Sequence, residues 1–298
     1  MANTREIKRR IKAVANIQRI TKTMQMIATA RFQATLRMVT QSQAYAQKIG
    51  ELVGELALTL GGNQAQSIQH PLLRRGGTGG GRQLVLVITS QRGLCGGYNA
   101  SVLRAAMAFL KQHDAQPIDL EVVGKKGIAY FRFNRVGVAV YHSQFTDKPA
   151  YQDVEQLAQR YMDAYTQGTY EAVRVAYMAF KTVGQQEPRV EQLLPLADPT
   201  AGQIGVSDRR RASVEYDFSP DPKTLLAELL PVTVKTQLFQ RFNEAVLGEH
   251  IARMVAMKNA TDSAGKMSKQ LKLRFNRARQ AAITTELSEI IGGSLGLA

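Results

Sequence analysis

Between residues 3 and 59 the hydrophobic positions recur in steps of three, four and seven: Ile7, Ile11, Val14, Ile17, Met24, Ile27 and Ala28, then Met38, Tyr45, Ile49, Leu52 and Leu56. No proline interrupts this stretch, and no glycine precedes Gly50. The spacing makes a narrow stripe, closer to a coiled-coil seam than to a broad core face. It predicts one helix roughly 80 Å long at the usual rise per residue, more than a globular domain of this size can enclose. The far end of the chain repeats the pattern over 232–291, with Leu238, Phe242, Ala245, Ala252, Ala256, Ala260, Ala264, Met267, Leu271, Ala278 and Ala282. Small alanines on such a seam let a partner helix come close. Pro231 suits the first turn of this helix, or a kink separating it from a shorter helix at 225–230. Each helix has one apolar stripe to cover, so the two are expected to pair as an antiparallel coiled coil.

Between them the texture changes. "GGNQAQSIQHPLLRRGGTGGGR" (61–82) is a linker by composition. "QLVLVITS" (83–90) is a continuous apolar run, as in a strand buried on both faces. Helix is expected at 98–112, 125–134 and 151–167, and strand at 118–124, 138–141 and 172–182. Strands alternating with helices imply a small, mostly parallel, Rossmann-like α/β sheet. Residues 198–213 are expected to be an exposed loop. The organisation is therefore an N-terminal coiled-coil helix (1–60), a Gly-rich linker (61–82), an α/β domain (83–215) and a C-terminal region with the second long helix (216–298).

Charge adds a direction. The 298 residues carry a formal +15, and the excess lies at the two ends. Residues 1–50 hold ten Lys/Arg against one acid, residues 250–298 eight against three, and the stretch between is nearly balanced. Such ends suit an anionic partner, whether nucleic acid, membrane surface or acidic protein, or else form a solvated basic face. No apolar run approaches the roughly 20 residues that span a bilayer. "MANTREIKRRIKAV" lacks the apolar stretch of a secretory signal. A single cysteine, Cys95, excludes an internal disulfide and a structural zinc site, and fits a reducing, cytoplasmic setting.

The α/β pattern invites a nucleotide reading, which the motifs do not support. Gly93, Gly96 and Gly97 in "SQRGLCGGYN" do not make GxGxxG. "VVGKKG" has no glycine five residues before Gly124 and no Ser/Thr after Lys125. His70, His113, His142 and His250 are scattered without metal-ligand spacing, and Cys95 has no evident catalytic partner. No catalytic constellation and no cofactor site emerges. The serious alternative is nucleic-acid binding: Arg5, Lys8, Arg9, Arg10 and Lys12 resemble the basic region of a zipper helix. Against it, the apolar seam runs straight through those residues, where a helix gripping DNA would be polar all round.

Four stretches carry a resemblance. "IKRRIKAVANIQRITKTMQMIATARF" (7–32) resembles the N-terminal helix of the gamma subunit of F-type ATP synthases, and "TSQRGLCGGYN" (89–99) is similar to that subunit's signature turn. "EHIARMVAMKNATDSAG" (249–265) and "NRARQAAITTELSEIIGG" (276–293) resemble its C-terminal signature. The resemblance runs end to end and implies a central rotary shaft. The terminal helices would penetrate a hexamer of alpha and beta subunits, and the α/β domain would stand on the c-subunit ring beside the epsilon subunit. Proton flow through the ring would turn the shaft and drive ATP synthesis. ATP, ADP and magnesium would bind the alpha and beta subunits, leaving this chain with no catalytic residue, cofactor, metal or nucleic acid of its own. It would lie peripherally on the cytoplasmic face of a bacterial inner membrane.

Residue by residue, the resemblance places Arg279 and Gln280 against an acidic loop of a beta subunit and Met24 near that subunit's acidic lever. It places Arg92, Gly93, Cys95 and Gly96 in a turn beside the shaft, and Tyr216, Phe218 and Ser219 in the foot on the c ring. Two positions depart from the family pattern. Gln91 stands where an aspartate is usual, removing any salt bridge from that position, and Ser219 replaces an acid in the foot. The loop at 198–213 has no cysteines, so the dithiol switch of plastid members cannot operate.

Overall fold

A computed structural model of the chain describes residues 4–60, 70–73, 81–197 and 221–295. Its elements are α1 (Thr4–Leu60), β1 (Gln83–Ile88), α2 (Tyr98–Gln112), β2 (Ile118–Val123), α3 (Lys125–Phe133), β3 (Val140–His142), α4 (Tyr151–Thr166), β4 (Ala172–Thr182), β5 (Gln185–Leu194) and α5 (Pro222–Leu295). They divide into two compact units, Met1–Ala30 with Arg253–Ala298, and Arg31–Ala252.

The larger unit is built on a five-stranded sheet in the order β3-β2-β1-β4-β5, with β1, β2, β3 and β4 parallel and β5 antiparallel to β4. The apolar run of β1 is buried along its whole length because both faces of the sheet are covered. Alternation sorts its side chains. Leu84, Leu86 and Ile88 enter one core with α4 and parts of α1 and α5, whereas Val85 and Val87 enter the other with α2 and α3. On the first face α5 contributes Leu226, Leu230, Val234, Leu238 and Phe242, one residue every helical turn, and α1 contributes Ile49, Val53 and Leu56.

The α/β architecture with its two long terminal helices is as the sequence indicates, with two differences. First, β5 has no counterpart in the sequence reading. "QQEPRVEQLL" is polar and contains Pro188, which argues against a central strand, but among the described residues β5 has a neighbour on one side only, where proline is tolerated. Second, Pro231 neither starts nor breaks the C-terminal helix: α5 begins at Pro222 and continues through it. Pro222 occupies the favoured first position, and Asp221 caps the start by accepting from the backbone N–H of Thr224 at 3.2 Å. Burial of Leu226, Leu230 and Val234 on either side of Pro231 offsets the lost backbone hydrogen bond.

In the smaller unit α1 runs antiparallel to α5, with contacts between 10–21 of α1 and 261–274 of α5. Thr261 Oγ1 donates to Thr21 Oγ1 at 2.9 Å, and Gly265 sits against Gln18. A crevice near the N-terminus of α1 has Arg10 and Val14 on one wall and Met267, Leu271 and Arg274 on the other. The buried line on α1 is Ile7, Val14 and Ala28, with Thr21 half-buried between them: a strict heptad. Ile17 and Ile27 are exposed rather than in the seam. Ile17 lies about 60° round the helix from Val14, on the flank of the stripe. On α5, Met257 and Ala264 are buried and Met267 is exposed.

Candidate functional site

The β1–α2 turn is held by its own side chains. The Ser90 N–H donates to Asn99 Oδ1 at 3.0 Å, and Ser90 Oγ donates to the Arg92 carbonyl at 2.6 Å. Asn99 Nδ2 donates to Ser90 Oγ at 2.8 Å and approaches Cys95 Sγ at 3.2 Å. Thr89 Oγ1 donates to the Val123 carbonyl at 2.7 Å and accepts from the Gly127 N–H at 2.9 Å, tying the turn to the start of α3. Gly124, at φ +94°, is obligatory in that start, because a Cβ there would lie 2.3 Å from the Thr89 carbonyl oxygen. Cys95 is buried in the turn, Gly93 is half-buried, and Arg92 and Gly96 are exposed.

Gln91 does more than an aspartate could. Its Nε2 donates to the Phe145 carbonyl at 2.7 Å while its Oε1 accepts from the Lys125 N–H at 3.3 Å. An ionised carboxylate can only accept, so it would leave the Phe145 carbonyl without this donor. Gln91→Ala is expected to cost about 1 kcal/mol, the usual net worth of such hydrogen bonds, read as a lower urea midpoint for the α/β unit with an unchanged m-value.

A cluster that the sequence reading missed lies on the opposite side of β2. Glu121, buried on β2, receives three donors on one oxygen: His142 Nε2 at 2.7 Å, Tyr161 OH at 2.7 Å and Arg160 Nη2 at 2.5 Å. Burial alone would raise the Glu121 pKa. The hydrogen bonds from His142 and Tyr161 and the Arg160 charge outweigh it and hold the carboxyl below its ordinary value. Burial first, then the Glu121 charge, pushes the Tyr161 hydroxyl well above its ordinary pKa. His142 also packs edge-on to Phe145, which Gln91 holds from the other side.

The remaining expected site residues lie elsewhere. Met24 is half-buried on α1 within the smaller unit. Arg279 and Gln280 open a stretch of α5, 279–291, in which every residue is exposed, including Ile283, Leu287, Ile290 and Ile291. Tyr216, Phe218 and Ser219, and most of the linker at 61–82, lie outside the described residues. Of the expected residues, the structure gathers only the turn residues, Arg92, Gly93, Cys95 and Gly96, into one place.

A family model described as ATP synthase matches residues 3–297. The chain is 39% identical over 296 residues to the ATP synthase gamma chain of Rhodopirellula baltica, covering 98% of each. It belongs to the ATP synthase gamma-chain family. Solved structures agree in fold. A chain of the Euglena gracilis mitochondrial ATP synthase rotor is similar at TM-score 0.57 and 16% identity, covering 94% of this chain and 98% of its own. One from the Tetrahymena thermophila mitochondrial ATP synthase central stalk/c-ring is similar at TM-score 0.55 and 21% identity, covering 81% and 99%. Membership accounts for the end-to-end order of the four signature stretches. Like the sequence, the described residues of this family member include no helix long and apolar enough to cross a membrane.

Proposed function

We propose that the chain is the central rotary shaft of an F-type ATP synthase, coupling proton flow through a c-subunit ring to ATP synthesis and hydrolysis at catalytic beta subunits. The observation that carries this reading is the wholly exposed helix from Arg279 to Ile291 on a member of this family. Four large aliphatic side chains stand in water there beside an arginine, a combination that a surrounding sleeve with an apolar collar and acidic loops would bury and neutralise. The alpha and beta hexamer supplies that sleeve. Arg279 and Gln280 meet a beta-subunit acidic loop, and Met24 lies near its lever. Tyr216, Phe218 and Ser219 form the foot on the c ring, with the epsilon subunit beside the α/β unit. ATP, ADP and magnesium are held by the alpha and beta subunits, and this chain contributes no catalytic residue and no cofactor. It sits peripherally on the cytoplasmic face of a bacterial inner membrane.

Reconstitution tests the reading. Purified chain mixed with alpha and beta subunits of a related enzyme is expected to yield one complex that hydrolyses ATP far faster than alpha and beta alone. If no complex forms, or if hydrolysis equals that of the alpha and beta mixture, the shaft reading is wrong.

A further inference from the structure

At the carboxyl ends of β1, β2 and β3 the larger unit opens into a cleft of about 750 Å³. In open parallel sheets this is the side on which ligands bind. Its wall carries four cations from four different segments: Arg31 of α1, Arg92 of the β1–α2 turn, Lys125 at the start of α3, and Lys148 of the β3–α4 loop. The only carboxylate lining it is Asp147, already paired with Arg31. Like charges gathered in a concave wall repel one another, and they focus a positive potential on whatever enters. An anion relieves the repulsion.

The start of α3 is not available for this task. The first N–H groups of α3 are spent on Gln91 Oε1, the Ser90 carbonyl and Thr89 Oγ1. An anion here therefore draws on side chains rather than on the helix start, in keeping with the lack of phosphate-loop spacing in the sequence. Ser143 and Thr146 on the same wall add hydroxyl donors. No Phe, Tyr or Trp lines the cleft, and the one imidazole in its lining, His250, is only 2% exposed, so no aromatic face is offered to a nucleobase.

We propose that this cleft binds a phosphoryl anion, held by Lys125, Lys148, Arg92 and Arg31, and reads its charge without reading a base. The chemistry is shared by free pyrophosphate and by the diphosphate tail of a nucleotide. Because this site recognises no nucleoside, it stands independently of the shaft role.

Calorimetric titration of the full chain with pyrophosphate and, separately, with ADP, both without magnesium, distinguishes the sources. One saturable site per chain is expected for pyrophosphate, with ADP binding no tighter. Lys125→Gln with Lys148→Gln is expected to weaken pyrophosphate binding by about tenfold or more, through loss of charge-assisted contacts. Lys8→Gln with Arg9→Gln makes the same change in net charge on the smaller unit and is expected to leave binding unchanged. Ala34→Glu, which adds a carboxylate to the cleft wall while keeping every native cation, is expected to weaken binding as well. Circular dichroism checks that each variant is folded. Absence of a saturable site overturns the proposal. So does equal weakening by the two double variants, which would mean diffuse attraction to the chain's overall charge. ADP binding more than about tenfold tighter than pyrophosphate would overturn it too, since the base would then be read.

Discussion

Glu121→Ala is expected to remove about 3–5 kcal/mol from the stability of the α/β unit, the usual cost of breaking a buried ionic cluster by deleting one member. His142, Tyr161 and Arg160 all donate to the same carboxylate oxygen, so its loss leaves two buried donors and one half-exposed cation without their acceptor. Glu121→Gln keeps one carbonyl acceptor and should lose less. Hydrogen exchange of the β1 and β2 amides reports this unit specifically, and a loss below about 1 kcal/mol would show that the cluster is dispensable. Acidity provides a second readout. The folded Glu121 pKa lies below its ordinary 4.5, so its contribution is fully present above that value and is lost as pH falls through the folded one. Tyr161 is raised, so its contribution is complete below its ordinary 10.0 and is lost only as pH rises beyond it. Between those two values the wild-type stability curve should be flat with respect to both groups.

Arg279→Ala with Gln280→Ala is expected to leave the isolated chain folded and to lower ATP turnover and torque in the reconstituted complex. Both side chains are exposed, so neither contributes to the chain's own core. A helix turns about 100° per residue, which puts Arg279 roughly 140° from Arg274 and 160° from Arg277. Arg279 is thus free to meet a different partner from those two. A guanidinium grips a carboxylate through two parallel hydrogen bonds, and an adjacent amide adds a neutral donor. Losing one side of such a contact, once desolvated, costs about 2–5 kcal/mol. Single-molecule rotation beside bulk hydrolysis separates a weakened grip from failed assembly. Unchanged turnover and torque would reduce the pair to a solubilising face.

What the sequence could reveal depended on how local the cause was. The uninterrupted "QLVLVI" is typical of a doubly covered strand, and the narrow apolar stripe from Ile7 to Ala28 is typical of a paired helix. The strand "QQEPRVEQLL" was hidden because it is stabilised by a single neighbour, with a polar exterior. Register along a helix was blurred where apolar residues outnumber the seam, as at Ile17 and Ile27. Glu121 and His142 meet because β2 and β3 lie side by side in parallel register, a pairing that no spacing rule carries. Gln91 read as a lost salt bridge because its two partners, Phe145 and Lys125, are brought to it only by the fold. The family signatures, by contrast, were legible throughout, since they are local strings.

The two margins of the sheet have a consequence for the chain before it finds its partners. A strand margin left open to water is a template on which other copies can add, and a subunit awaiting assembly must survive at appreciable concentration without nucleating fibrils. β3 is only three residues long, too short to offer a register. β5 is long enough, but it is interrupted by Pro188 and studded with Glu187, Arg189 and Glu191, paired among themselves and with Lys181 and Arg241. An incoming strand would have to break that ionic lattice for a ladder already missing a rung. Replacing Pro188 and its charged neighbours with β-branched residues would convert the same margin into a seed for polymerisation.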